Sequence, residues 1–152
     1  MFKEGLVAFV TESNAIEGIF RPPTDAEIAA HESFMKLPSA LVGDLVEFVS
    51  AVEPKAILRD KRGLDVRVGN HVPTPGGPAV LSSLEEIMDR ANSLEHPWPV
   101  HCDYEWLHPF TDGNGRSGRV MWAWMMLRQG RNPFAIPFAQ RFYYQTLEQW
   151  GT

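Results

Sequence analysis

The chain of 152 residues has a single cysteine, Cys102, and few basic residues. One cysteine excludes an internal disulfide framework, and no basic-then-apolar leader opens the chain, so we expect a reducing, cytoplasmic location. The longest apolar run, 120–127, is about half of the ~20 residues that a membrane-spanning helix needs, so no membrane segment is predicted. Fourteen lysines and arginines against nineteen carboxylates give a net charge of −5. We therefore expect no nucleic-acid partner, because phosphate backbones bind clustered basic side chains.

Apolar residues recur at helical spacing along most of the chain, which predicts one mostly α-helical domain without repeats or linkers. The predicted helices span about 4–17, 24–38, 39–52, 82–94, 100–107, 119–130 and 138–150. Thr24 and Glu27 have the spacing of a capping box at the start of the second helix. Leu64, Val66 and Val68 alternate with polar residues ahead of the turn-forming stretch NHVPTPGGP. This pattern predicts a small β-hairpin with an exposed loop.

The stretch HPFTDGNGRSGR, residues 108–119, concentrates the polar chemistry of the chain. Gly113, Gly115 and Gly118 have the spacing of a dinucleotide-binding turn. That interpretation requires a preceding strand and an acidic residue about 20 positions later. The preceding segment has helical character, and residues 120–140 contain no aspartate or glutamate. A Rossmann turn is therefore disfavoured, and a Walker loop is excluded because no Gly-Lys-Ser/Thr follows.

The glycines open directly onto a predicted helix, whose first backbone N–H groups and positive dipole end bind anions. Arg116 and Arg119 lie three positions apart and project from one face of its first turns, an arrangement that a bound polyanion would stabilise. A histidine titrates near neutrality, so His108 is suited to take a proton from an incoming hydroxyl. Asp112 has two interpretations: the N-cap of the helix, or a ligand of a Mg²⁺ ion that bridges phosphate oxygens.

The twelve residues match every defined position of the motif HxFx(D/E)GNGRxxR, and the chain resembles the Fic family. The resemblance implies a single Fic domain over 1–152, mostly helical with a small hairpin flap. It also implies transfer of AMP from ATP to a tyrosine, threonine or serine hydroxyl of a target protein, with loss of pyrophosphate. His108 would be the general base, Phe110 a core anchor and Asp112 the Mg²⁺ ligand. The implied anion-binding and phosphate-contacting residues are Gly113, Asn114, Gly115, Arg116 and Arg119, of which Arg119 reaches the γ-phosphate.

The resemblance extends to DVRVGNHVPTPGGPAVLSSLEEIM, which is similar to the strand, flap and following helix of Fic domains. It implies that the flap registers a target segment by strand addition, a backbone contact that accepts several target sequences. The flap residues are Asn70, His71, Val72, Pro73, Thr74, Pro75, Gly76 and Gly77. The related Doc kinases carry a different loop at the Gly115-Arg116 position, so nucleotidyl transfer is favoured over phosphorylation.

A second motif, Ser13-Asn14-Ala15-Ile16-Glu17-Gly18, resembles the Fic inhibitory pattern (S/T)xxxE(G/N). It precedes the core, as in the Fic subclass with an N-terminal inhibitory helix, here about 4–18. The resemblance implies that Glu17 pairs with Arg119 and blocks productive ATP binding. The alternative is a surface helix end in which Glu17 pairs with Arg21. A carboxylate in the last turn of a helix faces the negative end of the dipole, which favours an external cation as its partner.

Three other functions stay open at this point. They are removal of AMP from a modified protein with the same glutamate positioning water, transfer of a different nucleotide or phosphorylated group, and a non-catalytic interaction module. The complete set of His108, Asp112 and Arg119 favours an enzyme over the last of these. His101 is expected to pack or hydrogen-bond rather than act as a second base, and Cys102 to be a buried thiol.

Overall fold

A computed structural model describes residues 2–135 and Leu147, and within that part of the chain it contains six α-helices. They are α1 (Phe2–Ile16), α2 (Asp25–Met35), α3 (Val42–Val52), α4 (Pro78–Asn92), α5 (Pro97–Leu107) and α6 (Asn114–Arg128). The predicted mostly helical class is therefore found. The helix predicted over 138–150 lies outside the described residues, apart from Leu147. No described helix combines the length and apolar character needed to cross a bilayer.

Helix α6 lies at the centre of the fold and packs against α1, α2, α3 and α5. Every residue from Val120 to Met126 is buried, as the apolar character of all faces of this helix predicts. The helix ends at Arg128, and Gly130 follows with φ +71°, a left-handed conformation that glycine adopts without strain. Burial of α6 on all sides fixes the position of its N-terminus, where the glycine loop lies.

Helix α1 packs against α2 and α6 through one apolar face. Leu6, Phe9, Val10 and Ile16 on that face are buried in the main core. Gly18 ends the segment with φ +79°, which turns the chain away from the helix axis. The residues just before this turn, including Glu17, are thereby brought over the start of α6.

The capping box at the start of α2 is confirmed. The Glu27 backbone N–H donates to Thr24 Oγ1 at 3.1 Å, and the Thr24 N–H donates to Glu27 Oε1 at 2.8 Å. Glu27 also forms an ion pair with Arg21, with Arg21 Nη1 2.7 Å from Glu27 Oε1. This ion pair and the neighbouring hydrogen bonds hold the pKa of Glu27 at about 2, well below its usual value. The middle and the C-terminal end of the loop between α1 and α2 are therefore fastened to Glu27.

The predicted start of α4 was wrong by four residues, because the helix begins at Pro78 rather than at Ser82. Gly77 precedes it with φ +151°, and Pro78 occupies the first turn, where its missing N–H costs nothing. In residues 2–135 the predicted hairpin forms no strand and is limited to one antiparallel bridge between Val68 and His71. Their backbone groups exchange two hydrogen bonds of 2.9 Å.

Candidate active site

The histidine of the glycine-loop motif lies at the C-terminus of α5 in a left-handed backbone conformation, with φ +52°. Phe110 is buried in the core, as predicted, and it forms an antiparallel bridge with Leu58. The Asn114 side chain closes the loop: its Oδ1 accepts from Phe110 N and its Nδ2 donates to Phe110 O, both at 2.8 Å. The Asn114 side chain therefore holds the loop in shape, which is compatible with a role of its backbone in the predicted anion-binding loop.

The His108 imidazole has one ring nitrogen engaged. Its Nδ1 lies 3.4 Å from the Glu105 carbonyl oxygen, and a carbonyl oxygen only accepts, so this contact favours the tautomer protonated on Nδ1. The lone pair of the neutral ring is then on Nε2. Burial lowers the pKa of His108 below its ordinary value of 6.5, and the Arg59 charge acts in the same direction. The ring is consequently neutral and able to accept a proton at neutral pH.

The predicted anion site lies at the N-terminus of α6. Gly113 is the N-cap with φ +78°, and no side chain caps the first turn. The first backbone N–H groups of a helix have no partner within the helix. The alternative of Asp112 as N-cap is therefore wrong: its Oδ1 accepts from the adjacent Gly113 N at 2.7 Å, and the residue is exposed. Asp112 therefore does not cap the first turn of α6.

The guanidinium of Arg119 is fully buried and points toward the end of α1. Its Nε donates to Ser13 Oγ at 2.8 Å, and its Nη2 donates to Ser13 O at 2.9 Å and to Glu17 Oε1 at 2.8 Å. The Glu17 carboxylate also lies over Gly115, so close that a Cβ added there would collide with Oε1. A carboxylate thus occupies the space in front of the α6 N-terminus, and the alternative pairing of Glu17 with Arg21 is not found.

Arg116 does not share this site with Arg119. It is buried, its Nη2 lies 2.8 Å from Glu53 Oε2, and its Nη1 lies 3.9 Å from Glu27 Oε2. Residues three apart on a helix differ by about 60° around the axis, so long side chains can diverge. Arg116 is absent from the described residues that line the cavity at the α6 N-terminus. Arg116 therefore lies outside this cavity, and its contact with the phosphate chain stays a prediction.

A cavity of about 1000 Å³ joins the glycine loop to the predicted flap. From the core side it is lined by Glu17, Glu105, His108, Gly115 and Arg119. Residues 67–72 line the opposite side, and His71 Nε2 lies 2.8 Å from the Trp106 carbonyl oxygen. Of the predicted flap residues 70–77, Asn70, His71 and Val72 line the cavity, together with 67–69. Residues 73–77, Pro73 to Gly77, instead lead from the cavity to the start of α4.

The sequence did not identify Glu105, one turn before His108, as a site residue. Its side chain is 9% exposed, and its Oε1 has no hydrogen-bond partner among residues 2–135. Oε1 packs against Gly118, where an added Cβ would collide with it. Burial raises the pKa of Glu105 to about 8, and nearby Glu17 adds to the increase while Arg119 opposes it. Glu105 is therefore a protonated acid at neutral pH.

Glu105→Gln is expected to stabilise the fold more at pH 8 than at pH 5. The folded pKa lies above the ordinary value of 4.5, so the folded state keeps a proton that the unfolded chain releases. The contribution of Glu105 to stability is complete below pH 4.5 and is lost as the pH rises to about 8. Glutamine does not titrate, so we expect a gain of about 1–3 kcal/mol at pH 8 in urea unfolding. Exposed Glu86→Gln on α4 is the control, and an equal gain at both pH values would contradict the assignment.

His101 and Cys102 have the structural roles that the sequence predicted. His101 is buried, and its Nδ1 donates to the Gly118 carbonyl oxygen at 3.0 Å. Burial lowers its pKa to about 3, so it stays neutral and is not a second base. The Cys102 thiol is buried, which raises its pKa to about 12. Among the described residues, no group of three or more histidine, cysteine or acidic side chains could hold a metal by itself.

The described residues thus form a helical fold in which a histidine precedes a glycine loop, and the loop opens onto the N-terminus of a buried helix. The chain belongs to the Fic/DOC family, whose sequence model matches residues 28–126. The crystal structure of a Fic family protein from Desulfovibrio desulfuricans G20 has the same fold. That comparison gives a TM-score of 0.69 at 22% identity and covers 95% of this chain and 56% of the other.

Two curated relatives are similar over about half of the chain. Protein adenylyltransferase Fic of Drosophila melanogaster is 36% identical over 88 residues, which is 52% of this chain and 18% of the relative. The protein of the same name from Drosophila grimshawi is 38% identical over 91 residues, covering 55% of this chain and 19% of the relative. The chain thus matches less than a fifth of the length of these relatives.

Proposed function

We propose that the chain is a protein adenylyltransferase domain, which transfers AMP from ATP to a hydroxyl side chain of a target protein. The observation that carries the proposal is the meeting of His108, Arg119 and the first turn of α6 around one cavity that also reaches the flap. The relatives named protein adenylyltransferase Fic support the same reaction. Such a site provides a base, a cation and backbone N–H donors for a phosphate chain.

In this reaction the target hydroxyl oxygen attacks the α-phosphorus of ATP. The bond between the α-phosphorus and the bridging oxygen breaks, and pyrophosphate leaves with that electron pair. Nε2 of His108 takes the hydroxyl proton, and the contact from Nδ1 to the Glu105 carbonyl supports this role because it keeps the lone pair on Nε2. Gly113 and Gly115 hold the phosphates through the backbone, and Arg119 binds the terminal phosphate once Glu17 has moved.

Asp112 is the residue that we assign to Mg²⁺. Mg²⁺ bound with nucleotides usually takes one or two carboxylates together with phosphate oxygens and water. Asp112 is exposed beside the loop and uses only Oδ1, toward Gly113 N, so its other oxygen fits that requirement. Bound Mg²⁺ would supply neutralisation of phosphate charge.

The Ser13-to-Gly18 segment restrains the enzyme in this proposal. The buried Arg119 guanidinium is bonded to Ser13 and Glu17, and the Glu17 carboxylate lies over Gly115. A carboxylate at this place competes with the phosphates of ATP for the same cation and the same helix end. Gly18 supports the restraint by turning the chain directly after Glu17.

The flap presents the target segment to His108. Residues 67–72 lie across the cavity from the catalytic loop, and Val68 and Val72 are exposed there. A target segment in extended conformation would pair with this backbone, which places its hydroxyl without requiring one particular sequence.

ATP labelled at the α-phosphate is expected to label protein, whereas ATP labelled at the γ-phosphate is not. The reason is that AMP is transferred and pyrophosphate released. Chelation of Mg²⁺ with EDTA should reduce labelling at least tenfold, because the phosphate charge is then left without its counter-ion. Gel autoradiography and mass spectrometry of the modified peptide measure both effects.

The same assay separates the other reactions. Labelling from γ-labelled ATP would indicate phosphorylation, and preference for another labelled nucleotide would change the donor. Release of AMP from a pre-modified target, dependent on Glu17, would indicate the reverse reaction. No labelling and no Mg-ATP binding, even without Glu17, would favour an interaction module.

A further inference from the structure

Arg59 is a buried arginine that neither motif contains. Its residue is 0% exposed, and among the described residues it forms no ion pair with a carboxylate. Burial accordingly lowers its pKa from the ordinary value, and only the charge of nearby Asp65 opposes this effect. A buried cation without a paired carboxylate is costly, so its hydrogen bonds must hold it in place.

All side-chain hydrogen bonds of Arg59 go to backbone carbonyl oxygens of two different segments. On one side Nε donates to His108 O at 2.7 Å, and Nη2 donates to Leu107 O at 2.9 Å. On the other side Nη1 donates to Leu64 O at 3.1 Å and to Thr74 O at 2.8 Å. The guanidinium therefore connects the backbone at His108 to the two segments that flank the flap.

Leu64 and Thr74 flank residues 67–72, the part of the flap that lines the cavity. The bonds to both flanks fix where the flap leaves and rejoins the body of the protein. The backbone of Arg59 strengthens the link, because its N–H donates to Pro109 O at 2.8 Å and its O accepts from Gly77 N at 3.0 Å. One residue thus sets the distance between the flap and the loop that carries His108.

The His108 backbone needs such support. A residue other than glycine in the left-handed region is held there at a cost, and His108 has φ +52° and ψ +61°. Its carbonyl oxygen is bonded to Arg59 Nε, and its N–H to the Tyr104 carbonyl oxygen at 3.1 Å. The first of these bonds also determines the direction in which the imidazole leaves the chain.

We propose that Arg59 is a positioning residue that couples the flap to His108, so that a target segment held by the flap meets the base at reacting distance. The proposal rests on the adenylyltransferase function above. Arg59 lies behind the site and contacts neither the hydroxyl nor the nucleotide. Its effect is therefore on the rate of transfer, since a misplacement of reacting groups by ~1 Å costs on the order of 10²-fold.

The test uses Arg59→Lys and Arg59→Gln in the full chain carrying Glu17→Gly, with α-labelled ATP and the protein's own hydroxyls as acceptors. Lysine keeps the charge but cannot span both sets of carbonyls, because its donors lie on one nitrogen. We expect both variants to lower the maximal labelling rate about 10- to 100-fold. The ATP concentration at half-maximal rate should stay within twofold, since Arg119 and the α6 N-terminus are held by other contacts. An unchanged maximal rate, or an equal loss of ATP binding, would overturn the proposal.

The pH dependence of the labelling rate separates loss of the Arg59 charge from loss of its bridging hydrogen bonds. The groups that act on His108 are Arg59, His71, Glu17 and the Glu105 carbonyl, and the Arg59 charge lowers the His108 pKa. In Arg59→Gln the labelling rate should therefore begin to fall at a higher pH as the solution is acidified, because His108 is protonated more easily. In Arg59→Lys this acid limb of the pH profile should stay in place. A loss of rate in Arg59→Lys with an unmoved acid limb therefore comes from the lost bridge, and a moved limb in that variant would contradict the proposal.

Two further measurements keep the outcome decisive. If the Glu17→Gly chain with Arg59 intact labels nothing, the proposed function fails. The coupling of the flap to His108 is then judged by NMR instead. In that case Arg59→Lys should shift the amide signals of both His108 and residues 67–72 but not those of Gly115 to Arg119, and absence of the paired shift would refute it. If both Arg59 variants fail to fold, exposed Thr74→Gly loosens the far end of the bridge. It should lower the maximal rate at least threefold, and an unchanged rate would count against the coupling.

Discussion

Glu17→Gly is expected to raise labelling with α-labelled ATP about 10- to 100-fold. The substitution removes the carboxylate that is bonded to Arg119 at 2.8 Å and lies over Gly115. A hydrogen bond to a charged group contributes about 1.5–3 kcal/mol, and each 1.4 kcal/mol is a tenfold change in an equilibrium. ATP no longer has to displace this contact. Initial rates of labelling and calorimetric Mg-ATP affinity should therefore increase together.

The matched control is Glu4→Gly, which makes the same change at an exposed position in the first turn of α1. It introduces a helix glycine with its ordinary cost of up to ~1 kcal/mol but leaves Arg119 paired. Labelling by this control should equal that of the parent chain. If Glu17→Gly also labelled no faster than the parent chain, the restraint assigned to the Ser13-to-Gly18 segment would be wrong.

His108→Ala in the Glu17→Gly background is expected to lower labelling about 10²- to 10⁴-fold, the usual contribution of a general base. Mg-ATP affinity should change less than twofold, because the nucleotide is held by the α6 N-terminus and Arg119. The loss should be the same with every acceptor, since the proton must leave any attacking hydroxyl. Single-turnover rates beside calorimetric affinities measure the two quantities separately.

His96→Ala is a suitable comparison, because His96 is exposed at the N-cap of α5 and distant in sequence from the loop. The pH profile adds a second check. The pKa of His108 is lowered by burial, so the neutral base persists below pH 6.5 and the rate should fall only under more acidic conditions. Residual transfer within tenfold of the parent in His108→Ala would require a different base.

Local sequence signals predicted the parts of the fold that depend on neighbouring residues. The Thr24 and Glu27 capping box, the buried α6 and the turn at Gly130 all follow from spacing and residue type along one segment. The contact between Glu17 and Arg119 was also expected, but only because two motifs matched a family pattern. Nothing in the spacing alone joins residues that lie about a hundred positions apart.

The sequence patterns and the structure differ where packing decides between two local solutions. Arg116 and Arg119 are both defined arginines of the same motif. Arg116 nevertheless pairs with Glu53 and lies near Glu27, away from the cavity. The alternation at 64–68 resembles a strand, but within the described residues only one bridge forms, since a ladder requires a neighbouring strand as partner. Ser82 and Ser83 are good capping residues, yet Gly77 and Pro78 begin α4 one turn earlier.

Glu105 and Arg59 illustrate a different kind of failure. Charged residues are mostly exposed, so composition argues against burying either one. Both are buried, and within the described part of the chain neither has an ion pair with an oppositely charged side chain, which only the packed structure reveals. The sole sequence signal for Glu105 is its spacing, three residues before His108 and four after His101. This spacing places Glu105 on the same side of α5 as the two histidines.

The burial of α1 in the main core has a consequence for how the proposed restraint responds to protein concentration. Leu6, Phe9 and Val10 would each lose about 1.5–3 kcal/mol of burial if the helix came away. Glu17, in contrast, needs only a rotation of a side chain that is 34% exposed. An inhibitor carried as a separate subunit is lost on dilution, whereas a tethered one keeps a constant effective concentration. Basal transfer per molecule should therefore be the same in dilute and in concentrated solution, and should be set by the level of ATP.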